Sequence, residues 1–502
     1  MIRNTGRPHR ALHKLAEAHI VLPFVLTSAS AALLSSGDER VFLGASFLGA
    51  GAAVYILAGI LFSWIQVRIS WLLACALLLG YGLGSFNSGV RLAVGGVSLS
   101  DYFARPQGDL STALAFVYLV IAVLLLAGYF LERPIATTLE SFGITASDSL
   151  LALAGGSLVA AAFATGGVGF MGVQTTLDHR VSPLGVLGGL ASLALPAFTL
   201  AVQAKCHPRV RIVLWLCIAA EVLALVPQGR RITICGLLLL AFVYLRLDRN
   251  SRPIRMATVT LFVCSIGFLY AANLVFYAMR HSVNESGDRS ETVLNMATTA
   301  FTFLTDGRDG QFDQQVAENS RDRTFILTYF SDLLAASWSH APLYGRDALF
   351  CLETSIPSGL FADKAWVRDI GMEENLANPQ FGLFPEDDPN SIMTTGVSDF
   401  GVWGVFLYPM ALTCIMASAY SVLGTKLPGP IRLLALLLLL NLMVQSEVPG
   451  TQYIGFLRDL PLLLFVLWPA YAIPRLVRHR RRPASSVCVT LRQLTLQPGE
   501  KP

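Results

Sequence analysis

Twelve apolar stretches, each close to the roughly 20 residues that an α-helix needs to cross a bilayer, recur along this chain. They fall at about 18–36, 41–63, 69–90, 112–131, 149–171, 183–203, 211–227, 232–246, 256–279, 393–422, 430–446 and 452–474. Composition agrees. Of 502 residues, 54% are hydrophobic and 14% charged, where a soluble domain carries roughly a quarter charged residues. No water-soluble body of this length can hide so much apolar surface. Disorder fails on the same count, and collagen or coiled-coil readings fail for want of a sustained period. The expected fold is an all-α polytopic integral membrane protein. The first run follows basic residues and lacks a small-residue cleavage site, so it reads as a retained helix and not a signal peptide.

Small residues stud several runs, as in Gly155-Gly156, Gly166-Gly167 and Gly80-Tyr81-Gly82-Leu83-Gly84. In a membrane such residues let helices approach closely, so these read as packing faces and not phosphate loops. The eight cysteines are scattered, with no CxxC pair or Cys/His cluster at zinc spacing. Neither a disulfide framework nor a metal site is expected, and no cofactor.

Orientation follows from Lys and Arg. With the amino terminus inside, cytoplasmic segments collect 22 of the 37 basic residues, and the short outer loops hold six. Both termini are expected in the cytoplasm. Four regions result: spans 1–9 over residues 1–279, a large outer loop over 280–392, spans 10–12 over 393–479, and a basic cytoplasmic tail over 480–502. The loop holds 18 acidic and 8 basic side chains, a net −10 against +14 for the rest. A loop of that length in a compact protein is functional. Within it, Arg323 to Ser337 has helical apolar spacing and reads as a helix along the membrane surface. The tail suits weak binding to anionic headgroups.

Charges at the outer ends of spans mark where chemistry could reside. The seventh span ends in Val226-Pro227-Gln228-Gly229-Arg230-Arg231, and the eighth begins at once. Two guanidinium groups against the topological charge bias suit an anion, because Arg grips phosphate bidentately and stays charged. Snorkelling to headgroups is the plainer account. Glu221, one to two turns below, needs a partner in the membrane, and Arg230 or Arg231 is the expected one. Arg458 and Asp459, adjacent in the last span, point apart on a helix and are expected to bind separate partners. Glu447 adds a carboxylate at the same rim. In the loop, Arg289, Arg321, Arg323 and Arg346 are candidate substrate contacts. The run Pro385-Glu386-Asp387-Asp388-Pro389-Asn390-Ser391 could supply a general base or bind sugar hydroxyls, or be a solvated turn. Aromatic rings at Phe330, Trp338, Tyr344, Phe350, Trp366, Phe381 and Phe384 could stack on sugars or serve as core anchors.

The order of these features resembles the Wzy-type polysaccharide polymerases of the O-antigen ligase-like superfamily. The matching pieces are Gly229-Arg230-Arg231-Ile232, Ala341-Pro342-Leu343-Tyr344-Gly345-Arg346, and Pro389-Asn390-Ser391 followed by Ser398-Asp399-Phe400-Gly401-Val402-Trp403-Gly404. They cover about residues 210–422. The resemblance implies a GT-C-like helical body with its large outer loop between spans 9 and 10, in the bacterial inner membrane. It implies a metal-independent glycosyltransferase that joins repeat units carried on undecaprenyl pyrophosphate. Arg230, Arg231, Asp387, Asp388 and Asn390 would then be catalytic. Arg289, Arg321, Arg323, Tyr344, Arg346, Glu447 and Arg458 would bind substrate. Implied partners are the lipid-linked oligosaccharide, membrane lipids, a chain-length regulator and a flippase, with no nucleic acid. Ligases carry a His before the Asn of the third motif. Here Pro389 stands there, so the base role passes to Asp387, Asp388 or Glu447.

Two rival readings remain. One is a GT-C glycosyltransferase or O-antigen ligase using a polyprenyl-linked donor; the GT-C enzyme would show an acidic motif in a long first outer loop, whereas Asp38-Glu39 lie in a very short one. A transporter or lipid-linked sugar flippase would show paired halves and helices broken in mid-membrane.

Overall fold

In hydrocarbon every backbone N–H and C=O must be satisfied within the chain, which leaves a helix as the natural state of each long apolar run. Every regular element among the described residues is accordingly helical. The computed structural model describes residues 19–34, 39–97, 108–135, 138–165, 183–247, 264–279 apart from 266, 326–356, 364–383 and 390–481, with 298, 301, 302 and 305 between.

In chain order the helices are α1 (Val21–Leu34), α2 (Glu39–Leu61), α3 (Ile69–Val94, with a π-helical turn at Leu78–Leu83), α4 (Leu110–Leu131) and α5 (Ser149–Ala164). There follow α6 (Pro183–Ser192), α7 (Leu195–Gln203), α8 (Pro208–Leu223), α9 (Arg230–Phe242) and α10 (Gly267–Met279). Four short helices, α11 (Leu327–Ala336), α12 (Arg346–Ser355), α13 (Ala365–Ile370) and α14 (Glu373–Phe381), precede α15 (Ile392–Lys426), α16 (Gly429–Met443) and α17 (Gly450–Arg481). Among the described residues seven helices are long and apolar enough to cross a membrane, and eight if the bent pair α6–α7, at 55°, is one span. Shorter apolar helices are α1, α10 and α16.

Burial sorts these helices into a centre and a periphery. From Leu433 to Met443 every residue of α16 is buried, the mark of a helix enclosed on all sides by protein. Most of α3 is likewise enclosed. The glycines of its π turn serve close approach, as their spacing suggests: Gly80 faces Ser446, and Gly82 faces the Gly49 backbone and the Tyr118 hydroxyl. Val21, Phe47, Leu216 and Phe465 instead point outward from α1, α2, α8 and α17, where lipid would cover them.

Two buried arginines hold helix C-termini, where the last carbonyls lack intrahelical donors. Arg68 donates to the carbonyls of Gly128, Tyr129 and Glu132 at the end of α4, and lies 4.7 Å over the Trp71 ring. Arg246 donates to the carbonyls of Ile60 and Ile65. Arg475 meets the buried Asp148 carboxylate at 2.7 Å. These belong to the basic set that the charge bias assigns to one face.

Two expectations change. The helix expected along the membrane surface, α11, instead buries Leu327, Tyr329, Phe330, Leu333 and Leu334. Its Phe330 meets Tyr81 edge-on, with ring centroids 5.8 Å apart, so it is lodged in the bundle. The run expected as one straight span at 393–422 is broken near its start. Phe400 (φ −137°, ψ 20°) and Gly401 (φ 56°, ψ −142°) leave helical geometry. In an unbroken helix residues 396 and 404 would lie roughly 12 Å apart along the axis. Here they touch: a methyl group on Gly404 would overlap the Gly396 carbonyl oxygen, and one on Gly396 the Gly404 carbonyl. The chain therefore folds back, so that residues 392–400 form a short arm packed against the span that follows. A residue with a Cβ resists the positive φ at 401 and does not fit the contact at 404. Every arm residue from Ile392 to Asp399 is buried.

Candidate functional site

The buried arm is polar, so its hydroxyls and carboxylate must find partners. Ser391 caps its start, its Oγ accepting from the N–H groups of Met393 and Thr394. The Tyr81 hydroxyl, from the π turn of α3, lies 2.8 Å from the same Oγ. Asn390 accepts from the Ser391 N–H at 2.8 Å and donates through Nδ2 to Glu373 Oε2 at 3.2 Å. Thr395 donates to that oxygen at 3.0 Å.

Glu373, the first residue of α14, also caps α17. Its Oε1 accepts from the Thr451 N–H at 2.8 Å and its Oε2 from the Gly450 N–H at 3.3 Å. The Cys351 thiol donates to Oε1 at 3.3 Å. At the other end of the arm, Asp399 receives the N-terminus of α12. Its oxygens accept from the N–H groups of Gly345 (3.0 Å), Asp347 (2.9 Å) and Ala348 (2.9 Å), and from the Tyr408 hydroxyl. The N–H groups of Leu343 and Tyr344 meanwhile bond the carbonyls of Ser398 and Asp399. The segment that carries α12 and α14 is thus docked onto the arm through two carboxylates at helix N-termini, where the helix dipole favours negative charge.

A third carboxylate completes the cluster. Asp347 is 1% exposed, and its Oδ1 has no hydrogen-bond donor. Burial, then the charges of Glu373, Asp399 and Glu374, push its carboxyl well above the ordinary range. Burial, then the carboxylates of Glu373, Asp347 and Asp399, push the Cys351 thiol up as well. Sequence spacing relates neither residue to Glu373, yet one donor atom from each of Asp347, Cys351 and Glu373 lies within 4.8 Å of the others.

Among the residues singled out in the sequence, Arg231 and Glu447 come together. Gly229, at φ 112°, turns the chain straight into α9, and the Arg231 guanidinium pairs with the Glu447 carboxylate. The Arg231 side chain is 43% exposed, whereas that of Glu447 is 8% exposed. Glu447 also faces Tyr81 closely enough to act on it electrostatically, which links the arginine hairpin to the arm. Beside the hairpin a cleft is lined by Val226, Thr233, Leu269, Ala272 and Asn273. Arg230 opens α9, but its side chain lies outside the described residues, as do Arg289, Arg321, Arg323, Asp387 and Asp388. Asn390 joins the buried network. Arg346 and Tyr344 are exposed at the start of α12.

Two sequence expectations are corrected. Glu221 accepts from the Thr199 hydroxyl at 3.3 Å, while Arg231 is spent on Glu447. Arg458 and Asp459 do not seek separate partners. Arg458 grips Asp459 with Nε at 2.6 Å and Nη2 at 2.8 Å, and its Nη1 caps the Ser355 carbonyl at the end of α12. Adjacent positions on a helix diverge at Cβ, but the long Arg458 side chain curls back to reach its neighbour. Of the aromatic rings, Phe330, Phe350 and Phe381 are core, and Phe384 lies outside the described residues. Trp338 and Tyr344, at 74% and 73% exposure, are open, joined by Phe400 and Trp403 at the bend.

Sequence reasoning missed Glu373, Asp347 and Asp399. Asp399 alone carried a signal, a lone carboxylate within an apolar run. No family model, curated protein or solved structure matches the chain.

Proposed function

We propose that this chain polymerises polyprenyl-pyrophosphate-linked oligosaccharide repeat units into a surface polysaccharide at the outer face of a bacterial inner membrane. The observation that carries the reading is the half-open Arg231 guanidinium, braced by a buried carboxylate, beside a polar arm folded back among apolar helices. In the proposed topology the bent pair α6–α7 crosses as one span, and the short apolar helices α1, α10 and α16 and the 13-residue α9 also cross, giving twelve spans, both termini in the cytoplasm and residues 280–392 outside.

In the proposed reaction a sugar hydroxyl of the incoming unit attacks the anomeric carbon of the growing chain. The bond from that carbon to the pyrophosphate oxygen breaks, the lipid pyrophosphate departs, and the hydroxyl proton passes to a carboxylate of the Asp387-Asp388 run. Charge grows on the departing group, and a preorganised guanidinium stabilises it; such a contact contributes about 1.5–3 kcal/mol. Glu447 holds Arg231 in place before substrate arrives. The exposed rings of Trp338, Tyr344 and Trp403 offer a stacking surface for the glycan.

A second reading, a flippase for the same lipid-linked sugar, draws on the broken pair α6–α7. Ser192 donates to Gln228 at 3.0 Å, Thr199 to Glu221, and Asn441 to the Leu193 carbonyl at the break. Polar groups at a discontinuous helix suit a transport path. Purified protein in liposomes with lipid-linked repeat units separates the two. Polymerisation yields ladders, and Arg231→Lys suppresses them nearly as well as Arg231→Ala, because an ammonium loses the planar two-donor grip. Flipped but unpolymerised units would overturn the polymerase reading; wild-type ladders from both variants would overturn the role given to Arg231.

A further inference from the structure

The charge beneath α12 is unbalanced in a way that the glycan reaction does not use. Three buried carboxylates converge there, and among the described residues none forms an ion pair with Lys or Arg. Asp399 and Glu373 are compensated by helix N-termini. Asp347 is not: its backbone N–H is committed to Asp399, and its own Oδ1 meets no donor.

We infer that Asp347, Cys351 and Glu373 form a binding site for one divalent, thiophilic cation of the zinc class. Asp347 and Cys351 stand four residues apart on α12, hence on one face of the helix. Glu373 comes from the start of α14. A thiolate with two carboxylates is a borderline-soft donor set, which favours zinc over calcium or magnesium.

The spacing fits. Donors around a four-coordinate zinc, at roughly 2.0–2.3 Å from the metal, stand roughly 3.3–3.8 Å apart. The Cys351 sulfur already lies 3.3 Å from Glu373 Oε1, and all three donor atoms fall within 4.8 Å. Closure needs side-chain movements of only about 1 Å. Binding replaces the thiol proton that Glu373 Oε1 now accepts: the S–H bond breaks, a metal–sulfur bond forms, and the proton leaves to solvent. Oε1 turns that lone pair to the metal and keeps its bond from Thr451. The fourth position falls to water.

A proton is the competing occupant. It would neutralise Asp347 alone, whereas a cation engages Asp347, the thiol and Glu373 together. The cation would tie α12 to α14 and, through Glu373, to the start of α17 and to Asn390 and Thr395 of the arm.

The test uses the full chain in detergent, stripped with chelator and re-equilibrated with zinc or cobalt chloride. Wild type should retain one zinc per chain by mass spectrometry. Its cobalt form should show a thiolate-to-metal charge-transfer band. Cys351→Ser and Asp347→Asn should lose the stoichiometric metal while still eluting as monodisperse protein. A cobalt form of wild type without the thiolate band would overturn the inference even if both variants misfold, and so would equal zinc in wild type and variants. Neither readout depends on polymer formation, so this site and the glycan reading fail separately.

Discussion

Removing the Asp399 carboxylate should undock α12 from the arm. In Asp399→Ala the N–H groups of Gly345, Asp347 and Ala348 lose their shared acceptor, and the Tyr408 hydroxyl loses its own. Bonds to a charged acceptor contribute about 1.5–3 kcal/mol each, less where water can enter the opened end. Counting about 1–2 kcal/mol for each of the three backbone bonds, α12 opens more easily by about 3–6 kcal/mol. The natural reporter is Cys351, 1% exposed on α12. In a chain where Cys351 is the only cysteine, kept in chelator, maleimide labelling follows local opening. At 1.4 kcal/mol per tenfold, the labelling rate should rise about 10²- to 10⁴-fold in Asp399→Ala. Asp399→Asn should fall between, since an amide oxygen still accepts while its NH₂ faces an N–H. If Asp399→Ala labels no faster than its parent, the carboxylate does not hold α12 to the arm, and the docking account fails.

Gly404→Ala should disrupt the fold-back, because its methyl group would overlap the Gly396 carbonyl oxygen across two backbones with no side chain free to move; fluorescence-detected size exclusion should show a fall in monodisperse protein, while Gly51→Ala, facing open space, should not. Arg475→Ala leaves Asp148, fully buried at its side chain, without its cation, and should cost about 3 kcal/mol; thermal unfolding in detergent should show the loss, with partial recovery in the Arg475→Ala, Asp148→Asn double variant. Glu221→Gln should be tolerated, since an amide keeps the Thr199 bond without placing a carboxyl among apolar helices; a melting temperature well below that of the parent would show that the acid has a further partner.

Much of the architecture was legible from local pattern. Apolar run length and the small-residue packing surfaces are local properties, set by transfer free energy and side-chain size residue by residue. The tight turn into α9 was legible too, because Gly229 and the brevity of the hairpin leave the chain few paths. The fold-back at Phe400-Gly401 was not legible, because the run from 393 to 422 is apolar enough to read as one crossing. Its reversal is decided by the Gly396–Gly404 contact, which exists only once the two halves meet. The same holds for the carboxylate cluster. Asp347, Cys351, Glu373 and Asp399 are ordinary loop or span residues in sequence, and what makes them unusual is burial against the ends of α12 and α17. Hydropathy is additive along the chain and therefore readable from it. The pairing of a buried charge with a helix terminus depends on which segments pack together, and only the tertiary structure decides that.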